Sequence, residues 1–305
     1  MRHIIRHGAF GLIVLGLGAA HADTLRELVA RSRADDSASH LLLMPFVTLG
    51  LLYLNRGREP ASSRASLVAG AAVIASGAAL AYAGAAYLPS SRWGNDVLTV
   101  AALAMAVQWV GAFILVYGAE AARAAKFPLF FLLFMAPFPQ NVLDGAIAAL
   151  KTGSTEVIAV LFSLSGTPYH REGFVFSLPR VAIEISDECS GIRSSIALLL
   201  TSLLAGYVFI RSGWKRAVLV AAVLPIAILK NGIRITSLSL LAVHVNPDFL
   251  VGRLHHDGGV VFFLLSLVFL APVLEALRRS ERRRPAGIPA GAWAQVLPPH
   301  RVAGR

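Results

Sequence analysis

A chain of 305 residues of which 56% are hydrophobic and only 15% charged has too little polar surface to cover a soluble globule of its size. Its formal net charge of +11 would suit a nucleic-acid-binding protein, but the basic residues fall in short clusters between apolar runs and form no single patch. We therefore predict an all-α polytopic membrane protein with no nucleic-acid partner.

Eight apolar runs stand out along the chain, and a helix needs about twenty residues to cross a bilayer. Several runs are shorter than that and must borrow flanking residues, which leaves the count open by one or two. The predicted spans are residues 4–20, 41–54, 65–88, 97–118, 127–137, 194–210, 217–233 and 258–277.

Basic residues follow every second span and set the orientation. Because cytoplasmic loops carry an excess of Lys and Arg, both termini are predicted to be cytoplasmic. The first run and the Ala20-His21-Ala22 that follows it also resemble a cleavable signal peptide, whose removal would leave the orientation of the other spans unchanged. The basic clusters are residues 56–64, Arg123 with Lys126, residues 211–216 and residues 278–284.

The chain divides into an integral-membrane part, residues 1–278, and a basic tail, residues 279–305. No internal repeat divides the first part further. The tail is rich in Arg, Pro, Ala and Gly and is predicted to be a disordered cytoplasmic extension.

The region before the sixth span has a different pattern, with Pro and Gly interrupting an amphipathic stretch. Residues 141–164 are predicted to form an interfacial or re-entrant helix. Residues 173–179 and 181–185 are predicted to be short strands that lead to Cys189. This small outer-face element would roof a site there, and it could pair with an extended peptide by strand addition.

Cys189, the only cysteine, lies among charged residues immediately before the sixth span. Charged residues at a membrane boundary are costly and are often kept for a task. If Cys189 opens the helix, the free N–H groups and Arg193 one turn later on the same face would favour a reactive thiolate. The competing interpretation is a buried thiol that only packs, since free cysteine is among the most buried residue types.

Two other polar groups are predicted at the same depth. Arg234 lies eighteen residues beyond Arg216, about 27 Å along a helix, and the eighth span begins after His255 and His256. Together Cys, Arg and His can supply a nucleophile, a cation for an oxyanion and a proton carrier. Each has a simpler interpretation, because an arginine can snorkel to headgroups and an interfacial histidine can act as an anchor.

A metal site is the competing use of the adjacent histidines with Asp257. Neighbouring residues rarely point at one ion, and no metal-binding spacing accompanies them. We therefore expect neither a metal nor another cofactor.

Three motifs follow one another along the chain. They are Cys189-Ser190-Gly191-Ile192-Arg193, Asn231-Gly232-Ile233-Arg234, and His255 four residues before Gly259. In this order they resemble the exosortase/archaeosortase family of membrane cysteine transpeptidases, and weaker matches extend the likeness to most of residues 24–278. The resemblance implies that residues 1–278 form an exosortase-like domain of a bacterial inner membrane, and the predicted orientation of the spans puts its active site on the periplasmic face.

The resemblance also implies roles for these residues. Cys189 would form an acyl-thioester with the substrate, and Arg234 and His255 would be its catalytic partners, with His256, Arg193 and Asn231 as alternative or supporting residues. The substrates would be exported proteins with a C-terminal tripartite sorting signal of the PEP-CTERM kind, made of a short motif, a transmembrane helix and a basic tail. The acceptor would be a surface lipid or glycan.

Two positions depart from the family pattern. Asp187 stands where many members are expected to have Glu, and the double histidine leaves open which of His255 and His256 is active. Arginine is a poor proton donor, so we assign the proton to His255 and the carbonyl oxygen to Arg234, although the family's roles could be reversed.

Other functions remain open at this stage. A plain hydrolase would use the same residues, with water attacking the thioester. A membrane transporter or assembly component for exported polysaccharide would also have many spans, but it should show polar or broken helices near the bilayer midplane. Pro225 is the one helix breaker that supports that alternative.

Overall fold

The computed structural model describes residues 2–55, 65–88, 95–179, 181–250 and 259–282, and these are mostly helical. The predicted all-α, polytopic architecture is confirmed at this level. Twelve α-helices lie in the described residues: α1 Arg2–Ala20, α2 Ala22–Ala34, α3 Met44–Asn55, α4 Leu67–Tyr87, α5 Asp96–Tyr117, α6 Ala119–Ala124, α7 Lys126–Phe131, α8 Gln140–Leu164, α9 Ile192–Phe209, α10 Gly213–Ala221, α11 Val223–His244 and α12 Gly259–Arg282.

Six helical stretches among the described residues are long and apolar enough to cross a bilayer. A seventh counts if α1 and α2, bent by 78° relative to each other, form one broken span. The count of eight is not confirmed, because two predicted spans form only the shorter apolar stretches Leu41–Asn55 and Lys126–Met135. The six stretches are α4, α5, α8, Glu188–Phe209, Gly213–His244 and α12.

The predicted span 217–233 ends too early. Helices α10 and α11 together form one stretch from Gly213 to His244, so Arg234 lies inside a helix and not at its end. The polar residues Thr236 and Ser239 reduce the hydropathy after Ile233, yet both are buried. Tertiary packing against neighbouring elements therefore carries the helix beyond the apolar run.

Four short segments of the chain meet at one end of the bundle. The Nδ2 of Asn55, the last residue of α3, donates to Tyr207 Oη at 2.7 Å. The ring of Phe127 stacks on that of Tyr207 with centroids 3.9 Å apart. Glu281 accepts the backbone N–H groups of residues 211 and 212. This basic end, as we call it, carries Lys126, Arg211, Lys215, Arg216 and Arg278.

The opposite end carries Cys189 and is called the thiol end. There the N–H of Gln140, which begins α8, donates to Asp96 Oδ1 at 2.7 Å, and Asn95 Nδ2 donates to the carbonyl oxygen of Phe138. Ile196, in the first turns of α9, lines a small cavity with Asn95 and Phe138. The 18 residues of α9 separate the two ends by about 27 Å.

Helix α8 is one continuous helix of 25 residues. Its length and composition would allow it to cross a bilayer, whereas the sequence predicted an interfacial or re-entrant element. Its contacts nevertheless lie at the thiol end, because its first residue bonds Asp96 and its middle packs against α11 at Ile228 and Gly232.

A three-stranded antiparallel sheet lies between α8 and Cys189, with strand order β1-β2-β3. The strands are β1 His170–Glu172, β2 Val175–Ser177 and β3 Ala182–Glu184. β2 and β3 lie within the two segments with strand patterns, and β1 is additional. The sheet packs through Phe176 and Ile183 onto Phe162 of α8 and Val243 of α11, and so covers the last turns of both helices.

Candidate active site

Cys189 lies in a single 3₁₀ turn, Glu188–Ser190, that ends before α9 begins. Its N–H donates to the carbonyl oxygen of Ser186 at 3.1 Å, and its side chain is half-buried. The condition that Cys189 opens the helix is not met, because α9 begins at Ile192 and Gly191, with φ +76°, stands between the turn and the helix. Arg193 is the second residue of α9, and its side chain is exposed.

Cys189 and Arg234 line the same pocket, although they come from different elements. The pocket has a volume of about 200 Å³ and lies between β3, the cysteine turn and one face of α11. A half-buried thiol and a guanidinium on one cavity can serve a nucleophile and the oxyanion it generates. The lining residues are Ala182, Ile183, Glu184, Cys189, Arg234, Ile235, Leu238 and Ser239.

Asn231 fixes the backbone of the cysteine turn. Its fully buried Nδ2 donates to the carbonyl oxygen of Cys189 at 3.0 Å and to Ser154 Oγ of α8 at 3.1 Å. One side chain thus joins α11 to both α8 and the cysteine turn. Since Arg234 follows on the same helix, this amide sets the position of the thiol relative to the guanidinium.

Gly191 of the cysteine motif and Gly232 of the arginine motif lie where neighbouring elements approach too closely for a larger side chain. Gly191 has φ +76°, and a Cβ there would lie 2.9 Å from Asn231 Oδ1 and 3.0 Å from Lys230 Nζ. A Cβ on Gly232 would lie 2.4 Å from Val157 Cγ1 on α8. The first glycine lets the cysteine turn reach α11, and the second lets α11 reach α8.

Lys230 is a buried residue for which the sequence suggested no role. It is 1% exposed, and its Nζ donates to Ser194 Oγ in the first turn of α9 at 2.5 Å. An ionisable residue inside an apolar run was the available signal, since such residues are rare in membrane helices without a partner or a task. Its partner could not be read from the sequence, because it depends on how α9 and α11 pack.

Asp187, the residue that departs from the family pattern, ties the cysteine turn to α8. Lys151 Nζ donates to Asp187 Oδ1 at 3.0 Å and lies 4.5 Å from the ring centroid of Phe174 in the β1–β2 turn. The Asp187 side chain is 70% exposed, so this ion pair contributes little to stability.

His255 and His256 fall in residues 251–258, outside the described part of the chain. Within the described part, no group of three His, Cys, Asp or Glu side chains could hold a metal ion.

A sequence model of the transmembrane exosortase family matches residues 31–272. The chain belongs to the transmembrane exosortase family. The matched region of this exosortase runs from α2 into α12 and includes Cys189 and Arg234. Membership gives it a general role in transpeptidation and protein sorting at a membrane. No curated protein matches the chain. No solved structure matches it either.

Proposed function

We propose that this exosortase is a cysteine transpeptidase of the bacterial inner membrane that cleaves C-terminal sorting signals of exported proteins through a thioester on Cys189. The observation that carries the proposal is the pocket shared by Cys189 and Arg234. The substrate signal would be of the PEP-CTERM kind, and the acceptor a surface lipid or glycan. A pocket lined by residues of the cysteine motif and of the arginine motif supports this chemistry more directly than membership alone.

The reaction would proceed in two displacements. The sulfur of Cys189 attacks the scissile carbonyl carbon, a C–S bond forms, and the negative charge moves to the carbonyl oxygen. The C–N bond then breaks, and the leaving amine takes a proton. In the second displacement an acceptor nucleophile attacks the thioester carbon and releases the thiol. Water in place of that acceptor would make the enzyme a hydrolase.

Arg234 is proposed to stabilise the oxyanion. A guanidinium stays protonated at any pH that the protein meets, so it holds negative charge better than it delivers a proton. The proton transfer from the thiol to the leaving amine is assigned to His255, with His256 as the alternative. Arg193, being exposed and off the pocket lining, is left with a supporting role at most.

The orientation of the bundle supports a periplasmic site and eight crossings. Basic residues gather at one end, which the positive-inside rule assigns to the cytoplasm, and Cys189 lies about 27 Å away at the other. The short stretches Leu41–Asn55 and Lys126–Met135 both run between these two ends, and α8 keeps to the thiol end. A transporter is disfavoured, because the polar groups of this site lie at one end of α9 and not near its middle.

The proposal is tested with an epitope-tagged exported protein that ends in a short Pro-containing motif, an apolar helix and an Arg cluster. Wild type is expected to shorten it in membranes, and Cys189→Ala to leave it at full length. Arg234→Ala is expected to slow processing by about 100- to 1,000-fold, as the loss of an oxyanion donor does. His255→Ala and His256→Ala, compared directly, identify the active histidine. Processing that persists in Cys189→Ala would exclude the thioester mechanism.

A further inference from the structure

Within the part of the chain that the structure describes, strand β3 is paired along one edge only. It lies at the end of the sheet, and Ile183 is the partner of Phe176 on β2. The N–H of Leu178 donates to the carbonyl oxygen of Val181 at 2.8 Å, and the N–H of Ile185 to that of Phe174 at 3.0 Å. The backbone groups of the odd-numbered residues 181, 183 and 185 are therefore directed at β2.

The even-numbered residues must present their backbone groups to the other side, because hydrogen-bonding residues alternate along an antiparallel strand. Among the described residues, the N–H and C=O of Ala182 and the N–H of Glu184 have no hydrogen-bond partner. The carbonyl oxygen of Glu184 accepts the N–H of Ser186. The open edge thus offers two donors and one acceptor. The two residues that carry them, Ala182 and Glu184, lie about 6.7 Å apart along the strand.

This open edge belongs to the pocket of the thiol. Ala182, Ile183 and Glu184 line the cavity of about 200 Å³ together with Cys189 and Arg234. A peptide bound along β3 would pass close to the thiol of Cys189 and the guanidinium of Arg234. The alternation of backbone donors and acceptor along this edge matches the alternation along another extended polypeptide backbone.

We propose that the open edge of β3 is the docking strand for the substrate segment that carries the scissile bond. The inference rests on the proposed transpeptidase function. The extended peptide adds as a fourth strand, bonded to the backbone of Ala182 and Glu184, and this pairing holds its scissile carbonyl beside Cys189. Affinity comes from the backbone bonds, and selectivity comes from the side chain that enters the cavity.

Disulfide trapping tests this docking directly, because Cys189 is the only native cysteine. In Cys189→Ala, a new cysteine is placed by Glu184→Cys, and single cysteines are scanned through the motif of a substrate that wild type has been shown to cleave. Strand pairing predicts mixed disulfides at alternate substrate positions, since only every second side chain shares the face of residue 184. Glu172→Cys is the matched control, because Glu172 stands in the same row of the sheet on β1 and is likewise exposed.

The control is expected to trap none of these positions. Equal trapping from residues 172 and 184, trapping without alternation, or no trapping from residue 184 would each overturn the proposal.

A second test removes one of the free donors. Ala182→Pro deletes an N–H that is not directed at β2, whereas Ala182→Ser keeps it. We expect Ala182→Pro to lower kcat/KM for peptide processing by about tenfold, the effect of losing one hydrogen bond, with Cys189 alkylated by a maleimide as fast as in wild type. Wild-type processing by Ala182→Pro would refute the docking strand alone, whereas processing by Cys189→Ala would refute the function itself.

Discussion

Gly191 occupies a position where α11 leaves no room for a methyl group. It combines a positive φ with the close approach of Asn231 and Lys230, so both its backbone and its missing side chain matter. A non-glycine residue in the left-handed conformation costs roughly 1–2 kcal/mol before any clash is counted. The residue that follows Cys-Ser in the motif therefore serves the geometry of the turn and not the chemistry.

We expect Gly191→Ala to displace the cysteine turn, to lower stability by about 2–3 kcal/mol, and to abolish most processing. Gly206→Ala is the matched control on α9, because the nearest atom to its Cβ would be 3.5 Å away and alanine is the better helix former. Thermal unfolding in detergent and substrate cleavage measure the two effects. A Gly191→Ala protein as stable and active as Gly206→Ala would show that the turn adapts.

Variants of Asn231 and Ser154 separate the hydrogen bond that holds the cysteine turn from the hydrogen bond that joins α11 to α8. Asn231→Ala removes the bonds to Cys189 and to Ser154, whereas Ser154→Ala removes only the second. Each lost bond costs about 1 kcal/mol of stability, but only the first variant frees the cysteine carbonyl. We expect kcat to fall at least about tenfold in Asn231→Ala and less than about threefold in Ser154→Ala. Equal losses in steady-state kinetics would reduce Asn231 to a packing residue.

At this scale the sequence predicted part of the site. Cys189 and Arg234 could be expected at one level, because the helical rise from a basic cluster fixes depth. The position of Arg193 relative to the thiol depended on whether Cys189 opens the helix, and a 3₁₀ turn with Gly191 at φ +76° separates Cys189 from α9. The contacts of Ser154 and Lys230 could not be predicted, since they depend on the packing of three helices that no single segment encodes.

Among the elements, the contact between α8 and α11 holds in place the residues that position Cys189. Gly153 meets Ile228, and Gly232 meets Val157, at distances that exclude any larger side chain without movement. Small residues let two membrane helices approach closely enough for van der Waals packing to hold them. Asn231 and Ser154 bond across the same contact, so a separation of these helices would also pull on Cys189.

A double-mutant cycle tests this coupling. Gly232→Ala alone is expected to cost about 1–3 kcal/mol, because its Cβ would overlap Val157, and to lower processing. Adding Val157→Ala should restore at least half of both losses, since it removes the clashing Cγ1. Unfolding and cleavage measured for the four proteins give the coupling. Additive losses would show that α8 and α11 are not in contact at this point.

The elements themselves were only partly predictable. Helices α4, α5, α9 and α12 follow their apolar runs because a helix that crosses a bilayer is apolar along nearly its whole length. The predicted span stops short of the end of α11. The polar residues there are buried against α8 and the sheet, and hydropathy along the sequence does not detect burial by other parts of the fold. Helix α8 was difficult to assign from the sequence, because its composition suits a membrane span, whereas its contacts lie at the thiol end of the bundle.

For the whole molecule, the separation of the basic end from the thiol end predicts which side of the membrane each faces. A membrane-impermeant maleimide should label the native Cys189 in intact spheroplasts. In the Cys189→Ala, Gly213→Cys variant, whose new thiol is exposed at the basic end, labelling should require permeabilisation. The reverse pattern would invert the topology and exclude a periplasmic site.

The open edge of β3 has a consequence beyond catalysis. An unpaired strand edge is a template for any other strand, including the same edge on a second copy crowded into the same bilayer. Glu184 is exposed on that edge, and an antiparallel pair of β3 strands that uses the backbone of both copies of Glu184 would bring two such carboxylates onto opposite or diagonal positions of one face. The repulsion between them would discourage self-association while leaving the edge open to a peptide without an acidic residue there, so one side chain would both keep the enzyme monodisperse and help to choose its substrates.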